Sequence, residues 1–122
     1  MKKNNTILLT ENLIRIPSYV GDTCNEIAIG EYLVEYCKRF SWMKAEKQYV
    51  TDKRFNVVLR DKYPTTLLVN GHLDTVQPRT GWMTNQFIPT IKNSRMYGLG
   101  ATDMKGSLAA FLVALSKMTS TK

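Results

Sequence analysis

One histidine and two aspartates carry the chemistry open to this sequence. His72, the only histidine, stands in Gly71-His72-Leu73-Asp74-Thr75-Val76, just after the apolar run Leu67-Leu68-Val69. Asp103 stands in a second motif, Gly98-Leu99-Gly100-Ala101-Thr102-Asp103-Met104-Lys105-Gly106, and is the only acidic residue after Asp74. Imidazole and carboxylate are both ligands for zinc. A metal-bound histidine usually passes its other N–H to a carboxylate, which fixes the tautomer. In extended chain, residues two apart face the same side, so His72 and Asp74 share one cleft. In open α/β sheets such clefts lie outside the carboxyl ends of the strands. Asp103, in a glycine-rich stretch before a helix, would bring a second hard ligand there.

Each residue has a plainer reading. On pattern alone, a lone histidine after a strand is more often a hydrogen-bonded turn residue. Asp74 before Thr75 reads equally as a turn former, and Asp103 as the N-cap of the last helix. A nucleotide loop does not fit. Gly98-x-Gly100 lacks the third small residue, Asp103 would repel a phosphate, and Lys105-Gly106 is not a P-loop ending.

Several elements must position these residues. Ile7 to Ile16 reads as a first helix, ended by Pro17, which disfavours helical geometry in the residue before it. Thr23 and Glu26 have the spacing of a capping box. The helix they would open carries Ile29, Leu33, Tyr36, Cys37 and Phe40 along one apolar face, with Glu35 and Arg39 as an i,i+4 pair on the wet side. Ala45 to Val50, Asn56 to Arg60 and Thr65 to Gly71 read as strands. The last is apolar in a run, as expected of a strand covered on both faces. Phe87 to Ile91 and Arg95 to Tyr97 read as two strands around the turn Lys92-Asn93-Ser94. Lys105 to Met118 reads as a helix apolar almost all round, and so buried on more than one side. The fold class that follows is α/β, a mixed β-sheet flanked by helices.

Composition bounds the rest. The 122 residues fit one domain, and 43% hydrophobic with 22% charged residues are ordinary for a globular one. The net charge of +7 comes from Lys and Arg scattered along the chain, without the motif of any nucleic-acid-binding module. Solvated basic faces are the preferred reading, and a basic nucleic-acid-binding domain the less favoured alternative. Cys24 and Cys37 are not spaced as a metal knuckle or redox pair; Cys37 lies on the apolar helix face as a buried free thiol. The apolar stretch Ile7-Leu8-Leu9 is too short for a signal peptide and no segment approaches a membrane span. The expectation is a soluble, cytoplasmic protein.

The two motifs, with Trp82, Phe87-Ile88-Pro89 and Ser107-Leu108-Ala109-Ala110 between and after them, resemble one family. It is the two-metal peptidase and deacylase family that includes acetylornithine deacetylase, succinyl-diaminopimelate desuccinylase and glutamate carboxypeptidase. Leu13-Ile14-Arg15-Ile16-Pro17-Ser18 and Asn56-Val57-Val58 are similar to its opening helix and first strands, so the resemblance runs along nearly the whole chain. It implies a three-layer αβα fold, incomplete at the C-terminus, with residues 1–122 as the N-terminal portion of a catalytic domain and no complete second domain. It implies that His72 ligates one zinc, that Asp103 bridges two, and that Asp74 orients His72 and supports catalysis. The two divalent ions would be zinc, with cobalt or manganese as substitutes. The substrate would be a small peptide or N-acyl amino acid, with no nucleic acid and no membrane involved. The family often dimerises through an inserted domain that this chain does not contain. Leu99 stands where members commonly carry Arg, and Asn85-Gln86 replaces a usual Asp-Pro. The Glu-Glu pair, further acid and late histidine that complete the family's site have no counterpart here. The expectation is therefore weak metal binding and no useful hydrolysis by this chain alone; a non-catalytic, partner-binding relative is the alternative.

Overall fold

The computed structural model describes residues 4–22 and 25–118 of the chain. Helix α1 spans Asn5–Arg15. Asn4 caps it, its side-chain oxygen accepting the Ile7 amide at 2.9 Å, which satisfies one of the four orphan donors of a helix start. It ends where expected: Ile16, ahead of Pro17, is extended at φ −97° and ψ 106°.

Helix α2 spans Ile27–Cys37. Thr23, one member of the expected capping box, lies outside the described residues. The Glu26 carboxylate accepts from the Arg54 guanidinium at 2.6 Å, a charge-assisted bond stronger than one to a neutral amide. The expected Glu35–Arg39 pair is replaced. Glu35 pairs with Lys38, while the Arg39 guanidinium lies 3.7 Å from the centre of the Tyr36 ring. Ile29, Leu33 and Cys37 are buried along the predicted face, and Phe40, beyond the helix end, is buried with them.

Strands β1 (Lys44–Tyr49) and β2 (Phe55–Arg60) pair antiparallel, with Lys44 opposite Arg60 and Tyr49 opposite Phe55. Strands β3 (Thr90–Lys92) and β4 (Arg95–Tyr97) form a second antiparallel pair. Asn93 and Ser94 join them at φ 50° and 60°, the left-handed geometry that matches the twist of a two-residue hairpin. The strand expected from Phe87 starts later. The Asn85 side chain accepts the Phe87 amide at 2.9 Å, making a turn where extended chain was expected.

The larger correction concerns the sheet. The described residues hold two separate two-stranded sheets, not one mixed sheet. Thr65 to Gly71 joins neither of them, and Leu67 and Leu68 are 77% and 83% exposed. An apolar run records burial only when strands or helices lie beside it to cover it; here, among the described residues, only the Gly71 end is approached, an added Cβ there falling 3.1 Å from Leu108 Cδ2.

Helix α3 spans Gly106–Leu115. Ala109, Leu112, Val113 and Leu115 are buried, but Ser107, Ala110 and Ala114 are exposed. Burial is therefore on one side, not all round. Helix α1 packs on α3, and α2 packs on the β1–β2 pair. Leu9, Leu13, Ile29, Leu33, Cys37, Phe40, Leu112 and Val113 join these pieces in one core.

Burial pushes the Cys37 thiol up from 9.0 to about 11, against the lowering effect of the Arg39 guanidinium. The folded chain then holds this proton through a range where the unfolded chain releases it, so stability falls as pH rises from about 9 to about 11. The loss attributable to this group is about 2–3 kcal/mol, at about 1.36 kcal/mol for each tenfold change in proton affinity. Urea unfolding across that range should show a steeper decline for the natural chain than for Cys37→Ala. Parallel declines would assign the effect to other groups.

Candidate metal centre

His72 and Asp103 meet. The His72 Nε2 and Asp103 Oδ1 atoms are 2.8 Å apart, although the two residues belong to separate loops. His72 Nδ1 lies 3.0 Å from the Asp74 backbone oxygen and 3.4 Å from its carboxylate. Both ring nitrogens thus face acceptors, which suits the doubly protonated ring. The Asp103 hydrogen bond accordingly raises the histidine pKa above its usual 6.5, with burial acting in the opposite direction and the Asp74 carbonyl adding to the rise. The expected Asp74 contact is therefore made first by its main chain, with the carboxylate slightly farther away.

The loop before α3 aims Asp103. Residues Ala101–Lys105 form a wide turn in which the Lys105 amide reaches the Gly100 carbonyl at 2.9 Å. Inside it Asp103 and Met104 leave helical geometry, and the peptide between them is cis. Asp103 does not cap α3: Lys105 occupies that position, without a side-chain cap. The His72 amide donates to the Met104 sulfur at 3.2 Å. Thr75, after the histidine motif, pairs with Tyr19, and its amide donates to the Ser18 carbonyl at 3.1 Å. Met104 and Thr75 bear on the site through contacts between distant segments, which no local spacing announces.

Gly100 permits this packing. It sits at φ +78°, and an added Cβ would fall 2.6 Å from Thr75 Cγ2. Positive φ and a clash with a buried side chain act together. Gly100→Ala should therefore cost more than the roughly 1–2 kcal/mol of left-handed geometry alone and move the Asp103 loop. Urea unfolding and the His72 ring signals in an NMR spectrum check both; a variant matching the natural chain in both would refute the assignment.

A cleft of about 340 Å³ is lined by His72, Asp74, Thr75, Val76, Gly100 and Asp103, among others. His72 Nε2 and Asp103 Oδ1 are adjacent on its wall, and a nitrogen and a carboxylate oxygen suit zinc. Those two residues fit a shared ion. Asp74 lies at the opposite edge of the imidazole, so the three do not converge on one point. Among the described residues no group of three His, Cys, Asp or Glu side chains is placed to hold a metal. A catalytic zinc takes three protein ligands and a water, one more than this pair offers.

The residues that depart from the family pattern have structural roles here. Leu99 is buried, and its amide donates to the Gln86 carbonyl at 2.7 Å. The Gln86 carboxamide donates to Arg79 O at 2.7 Å and accepts from Arg79 N at 3.2 Å, closing the loop between the two motifs.

Comparison with known proteins covers both motifs. Residues 68–122 match the peptidase family M20/M25/M40. The chain is 36% identical over 113 residues to a succinyl-diaminopimelate desuccinylase of Nautilia profundicola, covering 91% of this chain and 29% of that protein. It is 37% identical over 121 residues to the desuccinylase of Blochmanniella floridana, with the same coverage of 91% and 29%. That of Helicobacter pylori is 32% identical over 124 residues, 87% of this chain and 31% of the relative. The chain thus spans just under a third of the length of these relatives. The agreement extends from α1 through both motif loops to α3, and the chain belongs to the M20/M25/M40 peptidase family.

Proposed function

We propose that this chain supplies part of the centre of a two-metal hydrolase that cleaves an amide bond in a small N-acyl amino acid or peptide. The observation that carries the reading is the 2.8 Å approach of His72 and Asp103 from two separate motifs, in a chain similar to desuccinylases. His72 would hold one ion through Nε2, and Asp103 would be shared between two. When bound, zinc, or cobalt or manganese in its place, supplies Lewis acidity and a water of pKa near 7. To hold an ion, His72 would have to be free of a proton at Nε2 and would carry its remaining proton at Nδ1, toward the Asp74 carbonyl. That bond would fix the tautomer and the ring plane. The Asp74 carboxylate adds negative charge on the same edge and supports the imidazole as a donor. No described residue is placed as the general base, whose loss typically costs ~10²–10⁴ in rate.

The same reading makes residues 1–122 the N-terminal portion of a three-layer αβα catalytic domain, in which Thr65 to Gly71 is a covered strand. It places the protein in the cytoplasm; among the described residues no helix is long and apolar enough to cross a membrane. Any homodimer would form through parts outside this chain. Against a nucleic-acid partner, Lys38, Lys44, Lys47 and Arg54 each pair with a glutamate, which leaves less free positive charge for phosphates.

Zinc titration of the purified chain, followed by assay of N-succinyl and N-acetyl amino acids, tests the reading. Weak zinc binding without turnover is expected from two ligands. Tight zinc binding with turnover would show that this chain holds a complete site, and no zinc binding at all would remove the reading.

A further inference from the structure

Lys105 is the largest fully buried side chain, at 1% exposed. Burying an ammonium is costly unless hydrogen bonds compensate it. Lys105 Nζ donates to the Ile16 carbonyl at 2.8 Å. Ile16 is the C-cap of α1, the end of a helix where carbonyls lack partners and a cation is favoured. Two residues on, the Ser18 carbonyl accepts the Thr75 amide at 3.1 Å. The stretch from Ile16 to Ser18 therefore holds both loops of the site. Lys105 ties to it the loop of Asp103, and Thr75 ties to it the loop of His72. Gly100 closes the arrangement, because an added Cβ there would fall 3.2 Å from Lys105 Cδ and 2.6 Å from Thr75 Cγ2.

We propose that Lys105 is a positioning residue that holds the Asp103 loop against the end of α1, so that Asp103 reaches His72. Its bearing on metal uptake rests on the reading in the preceding subsection. Stability alone gives little reason for a lysine here, since well-packed apolar replacements of buried charges are often neutral or stabilising. A methionine keeps an unbranched apolar stem of similar length but cannot donate to the Ile16 carbonyl, so the Asp103 loop loses that tie to α1.

The test uses the 122-residue chain without metal. Nitrogen-15 spectra of the His72 ring are compared, at one pH, among the natural chain, Asp103→Ala, Lys105→Met and Lys105→Arg, with backbone amide spectra reporting the fold. Lys105→Met is expected to stay folded and to displace the His72 Nε2 signal toward its position in Asp103→Ala. Lys105→Arg, which keeps the charge and the donors, is expected to restore it. A folded Lys105→Met with an unmoved His72 signal overturns the proposal. An equal displacement in Lys105→Arg overturns it too, by assigning the effect to packing, and so does unfolding of Lys105→Met. Zinc affinity is read in parallel and should fall by about tenfold, the lower end for a residue supporting a ligand. Absence of zinc binding by the natural chain would refute the metal reading and leave the His72 signals to decide the role of Lys105.

Discussion

Alanine at position 72 is expected to lower zinc affinity by more than about 100-fold, above the ~10–100-fold typical of residues that only support a ligand. The chain has a single imidazole, so no neighbouring histidine can replace it. Its Nε2 is also the atom within 2.8 Å of the only other donor among the described residues placed to share an ion. Asp74→Asn should do much less, about tenfold. The Asp74 main-chain oxygen, nearer to Nδ1 than the carboxylate is, survives that substitution. Competition against a chromophoric chelator measures both. Equal losses in the two variants would show that the Asp74 carboxylate is itself a ligand, and an unchanged affinity in His72→Ala would place zinc elsewhere.

The largest expected loss of stability is for Leu13→Ala. Leu13 is fully buried in the core where α1 packs on α3, and truncating such a leucine costs about 2–5 kcal/mol. Against a total of roughly 5–15 kcal/mol for an ordinary domain, that loss can leave much of the chain unfolded at room temperature. Urea unfolding of the two chains gives the difference directly. A change under about 1 kcal/mol would mean that the α1–α3 contact is loosely packed.

The readings that held depend on neighbours close in sequence. Pro17 ends α1 because proline geometry acts on the residue just before it. The stripe Ile29, Leu33, Cys37 repeats at the helical period, and β1 and β2 pair across a short connection. Where the structure differs, competing partners decided, some of them distant and some local. The Glu26 carboxylate met Arg54, far along the chain, whereas Arg39 settled on Tyr36 in its own helix turn and Asn85 turned the chain just before Phe87. Thr65 to Gly71 is the plainest case. Its composition encodes burial on two faces, yet it has no neighbouring strand among the described residues, and its leucines face solvent.

The site divides in the same way. By itself the sequence determined which groups could do chemistry, since one histidine and a single acid downstream of Asp74 leave few combinations. It did not determine that His72 and Asp103 touch, that the Asp74 carbonyl lies nearer to the ring than its carboxylate does, or that Lys105 is buried against the end of α1. Ligand types are properties of residues. Their distances depend on how α1, the two motif loops and α3 pack, and that is decided by contacts between segments far apart in the chain.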